Sequence, residues 1–153
     1  MKTSMIKKLT ALCLALTAGA VVAHADALYW DPGLTGGSGG TGTWDLNTSA
    51  NWFGNAGDAT WKDNSAAGTN TAYFSGNNGT VTLNQNVSAS NLVFYTSGYT
   101  ISGSGTLTLG SGGIDTFSLS SGTTTIGPAL NLVGGQQAWL LGYPGTILAV
   151  NGP

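Results

Sequence analysis

Apolar and polar residues alternate over short runs of this chain, and the runs break at glycine and small polar residues. Thr80–Leu83 reads Thr-Val-Thr-Leu, residues 91–95 read Asn-Leu-Val-Phe-Tyr, and residues 99–101 read Tyr-Thr-Ile. A period of two over four or five residues is the mark of a strand with one buried face. The phrase then returns. Residues 106–109 answer Thr80–Leu83, Phe117-Ser118-Leu119 answers the second run, and residues 124–126 answer the third. Ala129–Leu132, 138–141 and 146–149 make a looser third copy. An offset of about 25 residues lies within the range in which each unit buries its apolar face only against its neighbours, as in a solenoid. The pattern therefore predicts an all-β chain wound as a parallel β-helix.

The alternation assigns faces. Val81, Leu83, Leu92, Phe94, Ile101, Leu107, Leu109, Phe117, Leu119 and Ile126 are expected inside, and Thr82, Thr100, Thr108 and Thr125 outside. Val81, Leu107 and Leu130 are expected to pile in one column. Glycines at 98, 103, 105, 110, 112 and 113 fall where the coil must bend. No stretch of this region carries a capped helical apolar period. The last residues, 147–153, run into another strand without a polar cap, which predicts an open C-terminal end and a chain that is a fragment or a very short example of its kind.

Residues 1–25 read differently. Lys2, Lys7 and Lys8 precede an apolar run over 9–22, and Ala23-His24-Ala25 fits an export-signal cleavage site before Asp26, with Ala25-Asp26-Ala27 as the alternative. The run is too short for a good membrane-spanning helix. Cys13 reads as an apolar member of this run; Leu12 before it is larger than lipid-attachment motifs favour. Export and a secreted or cell-surface location follow, with no transmembrane segment in the mature chain.

Processing at that site changes the charge. From Asp26 onward one cation, Lys62, stands against six Asp and no Glu, a formal charge of −5. The chain's one Cys and one His lie before the cut. Disulfides, thiolate metal sites and histidine chemistry are thereby excluded from the mature chain. An acidic chain with a single lysine cannot neutralise a phosphate backbone, so nucleic acid is not a partner. Low charge with 25 Gly could mean disorder, but five Trp, five Tyr and four Phe supply apolar surface that disordered chains lack.

Segment 26–79 is rich in Trp and Asp: Tyr29-Trp30-Asp31, Gly42-Thr43-Trp44-Asp45, Asn51-Trp52-Phe53 and Trp61. Two readings compete. Exposed Trp30, Trp44, Trp52 and Trp61 beside Asp and Asn would make a sugar-binding platform. Buried, they would close the first rung of a solenoid whose apolar end must be covered. The cap is the preferred reading, giving three segments: signal 1–25, cap 26–79 and repeats 80–153. Asp31, Asp45, Asp58, Asp63 and Asp115 are the carboxylates from which a glycosidase pair would be drawn, but their spacing singles out none, and no catalytic residue is assigned. The spacing of Asp58 and Asp63 does not match a dense calcium repeat, and no metal or cofactor is expected.

Taken together, Tyr29-Trp30-Asp31-Pro32, Gly42-Thr43-Trp44-Asp45, Ala50-Asn51-Trp52, Ala72-Tyr73-Phe74 and the strand runs after them resemble the autotransporter-associated β-strand repeats of bacterial surface and secreted proteins. The resemblance covers most of residues 27–109 and, more loosely, the rest. It implies a right-handed parallel β-helix, export, display at or release from the outer membrane, and no catalytic residues. The expected function is a non-enzymatic passenger-type stalk or adhesin, whose partners would be surface or extracellular glycans or proteins, with self-association through the open end. A carbohydrate-binding module using the four tryptophans is the alternative. A polysaccharide-degrading enzyme is a third reading, from fold analogy.

Overall fold

The computed structural model describes residues 25–63, 70–117 and 120–153. The export-signal assignment, with Cys13 and His24, and the placement of Ser118 and Leu119 lie outside the described residues. Those residues form strands and turns with no helix. In chain order the strands are β1 (Ala27–Trp30), β2 (Gly42–Thr43), β3 (Trp52–Gly54), β4 (Gly57–Ala59), β5 (Thr71–Phe74), β6 (Thr80–Leu83), β7 (Val87–Phe94), β8 (Thr100–Gly103), β9 (Thr106–Thr116), β10 (Gly122–Ile126), β11 (Ala129–Leu132), β12 (Trp139–Leu141) and β13 (Thr146–Val150).

The strands stack as the walls of a parallel β-solenoid of about three turns. One wall runs β1, β5, the second half of β7, the second half of β9, then β12. A second runs β2, β6, β8, β10, β13. The third joins the first halves of β7 and β9 to β11. β7 and β9 each turn a corner between walls, where the register shifts between Ala89 and Asn91. At the N-terminal end the rule changes: β3 pairs antiparallel with β1, and β4 pairs antiparallel with β3.

Inside each wall the alternation produces columns, one residue per coil. Val81 stacks on Ile101, which stacks on Ile126 and then Val150. Val87 stacks on Leu107 and Leu130. Leu28, Ala72, Leu92, Ile114 and Trp139 form another column, and Phe74 lies over Phe94 with ring centroids 4.8 Å apart. These positions are buried up to the last coil. In-register stacking removes apolar side chains from water and pairs the backbone N–H and C=O groups of every inner strand on both sides.

Two expectations are corrected here. Thr80–Leu83 does not answer residues 106–109: β6 belongs to the second wall and pairs with β8, whereas residues 107 and 109 lie in the third wall over Val87 and Ala89. Val81 is therefore not in the column of Leu107 and Leu130. The Thr-x-Thr-Leu alternation suits either wall, so likeness of phrase could not assign the wall. The second correction concerns Phe117, expected inside but 40% exposed. Residues 91–94 pair with 113–116, so Ile114 and Thr116 fill the inward places and Phe117 follows them outward, as Tyr95 follows Phe94.

Candidate functional site

The four sequence-singled tryptophans meet inside the first coil. Trp30 comes from β1, Trp52 from β3, and Trp44 and Trp61 from the loops around them; all are 0–1% exposed. Trp44 and Trp52 pack edge to face at 4.9 Å, Trp44 and Trp61 at 4.8 Å, and Trp30 and Trp52 at 5.1 Å. Phe74 joins from the next coil, 5.8 Å from Trp52. Edge-to-face pairs are each worth about 0.5–1.5 kcal/mol beyond the area they bury. The Trp30 indole N–H donates to the Gly40 carbonyl at 2.8 Å, and the Trp61 N–H lies 3.1 Å from both Asp63 Oδ1 and the Ser88 carbonyl. The indole N–H groups of Trp44 and Trp52 have no such partner. In this arrangement the ring faces lie against one another and the core.

The loop that closes this cluster is organised by Asp31. Its buried carboxylate accepts the N–H of Thr35 at 2.9 Å, of Gly36 at 2.8 Å and of Ser38 at 3.4 Å, together with the Thr35 hydroxyl at 3.3 Å. Burial alone would raise its pKa; the N–H groups of Thr35, Gly37, Gly36 and Ser38 together outweigh this and hold it below the usual carboxylate value. The loop then crosses the second coil at Gly39. Gly39 has φ +75°, and a Cβ there would collide with the carbonyls of Ser75 and Asn77 and the hydroxyl of Tyr99. That hydroxyl lies 2.7 Å from both carbonyls, and burial pushes its pKa up to about 12.

The remaining carboxylates are spent separately. Asp45 accepts the Ser49 N–H at 2.8 Å and its hydroxyl at 2.7 Å. Asp63 accepts the Ser88 N–H at 3.0 Å, and Asp115 accepts the Asn91 amide at 3.3 Å. Asp58 stands exposed on β4. Among the described residues no group of three or more His, Cys, Asp or Glu could hold a metal ion. A cleft of about 420 Å³ beside β4 is lined by Asp26, Leu28, Asp58, Lys62 and Asn70 among others.

A surface that the sequence reading missed lies on the outside of the first wall. Tyr29 stacks on Tyr73 at 4.8 Å, Tyr73 on Tyr95 at 5.9 Å, and Tyr95 leans on Phe117 at 6.1 Å. One aromatic ring per coil thus crosses the wall, with Tyr95 46% and Phe117 40% exposed. Burial first, then the neighbouring Tyr95, Tyr29 and Asp115, raises the pKa of Tyr73. The second wall instead presents Thr80, Thr82, Thr100, Ser102 and Thr125 outward. The signal for the stripe was available: an aromatic at the outward place of successive runs, Tyr73 and Tyr95, against Thr at the same place elsewhere.

No family model matches the chain, and no solved structure matches it. The sequence is similar to the adhesin BmaC autotransporter of Brucella suis biovar 1 (strain 1330), 43% identical over 112 residues. The match covers 71% of this chain and 3% of that protein. This similarity and the stacked coils fit autotransporter-type passenger repeats. Among the described residues no helix is long and apolar enough to cross a membrane.

Proposed function

We propose that this chain is an exported, non-enzymatic passenger-type module of the autotransporter-associated β-strand repeat class, serving as a stalk or adhesin at the cell surface. Its segment 26–79 acts as the cap that starts the solenoid, and 80–153 supplies repeats. The observation that carries this reading is the 43% identity to an autotransporter adhesin over a stretch folded as stacked coils. Burial of the four indoles supports the cap role. The outward aromatic stripe, with Tyr73 half-buried and Tyr95 and Phe117 exposed, is the surface offered to glycans or proteins outside the cell, because contiguous aromatics on an otherwise hydroxyl-rich exterior mark interaction sites.

The reading is tested by displaying the chain on a non-adherent bacterium and counting cells retained on an epithelial monolayer. Display should raise retention, and Tyr73→Ser with Tyr95→Ser should return it about tenfold toward background, with surface quantity matched by antibody. Unchanged retention on display, or a double variant as adherent as the parent, overturns it. Polysaccharide-induced quenching of the buried indoles would instead revive the carbohydrate-binding alternative.

A further inference from the structure

Val93 occupies an outward place on β7, between Leu92 and Phe94 of the core, yet it is only 4% exposed. Register sets what surrounds it. Tyr73 pairs with it from one side and Asp115 from the other, and Tyr95 stands two residues further along the same face. The outside of the first wall is thus a second, thinner packing layer, made of rings and one carboxylate. That carboxylate has no counter-charge. The Asn91 amide donates to its Oδ2 at 3.3 Å, and the only Lys or Arg in 26–153, Lys62, lines the cleft beside β4. Burial, then Tyr95, Tyr29 and the Asp115 carboxylate raise the Tyr73 pKa, so this charge lies within electrostatic reach of the ring. A carboxylate set among rings is costly to cover further unless the incoming group is a cation that bonds it.

The rings add a shape. Tyr73 and Tyr95 are parallel to within 8°, but their centroids are 5.9 Å apart. Adjacent strands lie about 4.8 Å apart, so the two rings overlap only in part and each leaves some of its face open. A guanidinium is flat and weakly hydrated, stacks on aromatic faces and offers a fork of N–H donors to a carboxylate, whereas an ammonium is a compact, strongly hydrated point charge. We propose that this face holds an arginine of a protein partner, its guanidinium stacked on the open faces of Tyr73 and Tyr95 and its N–H groups donated to Asp115. This partner rests on the stripe being the adhesive surface, and makes its target protein: a neutral glycan can lie against the rings but brings no charge to Asp115. The formal charge of −5 from Asp26 onward draws the same class of partner toward the surface.

The experiment uses the chain exported by a bacterial host and a labelled peptide of four arginines alternating with glycine, with the lysine counterpart and dextran as the other probes. Fluorescence polarisation should show the arginine peptide bound at least about tenfold more tightly than the lysine peptide. Asp115→Asn should weaken it about tenfold. Asp58→Asn removes the same charge from an exposed place on β4 and should change affinity less than about twofold. Tyr95→Leu keeps an apolar cover beside Val93 but removes the ring, and should weaken the arginine peptide while leaving the lysine peptide unchanged. Equal affinity for the two peptides, equal losses in the two Asp variants, or displacement of the arginine peptide by dextran overturns the proposal. On the epithelial monolayer Asp115→Asn should cut retention as the paired Tyr→Ser changes do. Retention that falls with the rings but not with Asp115 overturns the arginine partner and leaves the stripe standing as the adhesive surface.

Discussion

The two ends of this solenoid are built from opposite materials. At the N-terminal end four indoles fill the first coil, a hairpin closes the sheet, and a carboxylate gathers the loop that passes across. In the last coil described, Leu132, Trp139 and Leu141 keep the register of the coil before and stand in core positions, but face solvent. The difference teaches that in a repeating fold the repeat is not what decides stability at the ends. A coil is stable when something covers it, and the covering segment must depart from the repeat to do so. The N-terminal departure takes the form of antiparallel pairing and aromatic bulk, because a short segment can cover most surface with Trp.

The sharpest way to break this comparison is to empty the head and the tail in turn. Trp52→Ala removes a fully buried ring that touches Trp30, Trp44, Trp61 and Phe74, and should cost about 3–5 kcal/mol of stability. Leu141→Ala removes a chain that is 49% exposed and should cost less than about 1 kcal/mol. Urea unfolding at a concentration that keeps the chain monomeric measures both. Equal losses would mean that the aromatic cluster is not the anchor of the first coil.

How much of this was legible in the sequence follows from what alternation can encode. The period of two identified strands, and the recurrence of short runs gave a solenoid, because both properties are local. The wall to which a run belongs is not local. Val81 and Leu107 sit in like phrases, Thr-Val-Thr and Thr-Leu-Thr, yet face the core from different walls, since any wall accepts hydroxyl-out and aliphatic-in. Val87-Ser88-Ala89, which does stack under residues 107–109, went unremarked because Ala89 is too small to register as a strand residue. The aromatic stripe was missed for a related reason. Tyr73 lies on β5 and pairs with Val93, whereas Tyr95 directly follows β7, so the two rings touch on a diagonal that appears only once the register between β5 and β7 is known. The four tryptophans that pack together come from separate stretches, and no spacing announces that they meet.

A second contrast lies within the head itself, between glycines of one loop. Gly39 and Gly36 both have positive φ, at +75° and +89°. Around Gly36 a Cβ would meet nothing within 4 Å, whereas at Gly39 it would drive into the carbonyls of Ser75 and Asn77. Gly36→Ala should therefore cost only the backbone term, about 1 kcal/mol. Gly39→Ala adds overpacking against the second coil and should cost about 2–4 kcal/mol, and it should also free the Tyr99 hydroxyl from its two carbonyls. The readout is thermal unfolding of both variants, with alkaline titration of tyrosine absorbance alongside. Burial pushes the Tyr99 phenol up to about 12 in the parent, so it should ionise at lower pH in Gly39→Ala if the added methyl opens the packing over the ring.

A last contrast concerns the charge that the head uses and the tail lacks. Asp31 satisfies several loop N–H groups at once, and its folded pKa lies below the ordinary carboxylate value of 3.8. A carboxylate with a depressed folded pKa stabilises the fold above its unfolded pKa, and that contribution disappears as pH falls through the folded value. Stability of the parent should thus be level near neutrality and decline below about 3.8. Asp31→Asn keeps the shape but loses the charge and presents one carbonyl oxygen where two carboxylate oxygens accepted. It should cost about 1–3 kcal/mol at pH 7 and flatten part of the acid decline. If the variant matched the parent at pH 7 and fell off as steeply in acid, the loop would be held by its backbone conformation and not by the carboxylate. The two ends would then differ in aromatic content and in the closing hairpin, and the buried carboxylate of Asp31 would have no part in closing the head.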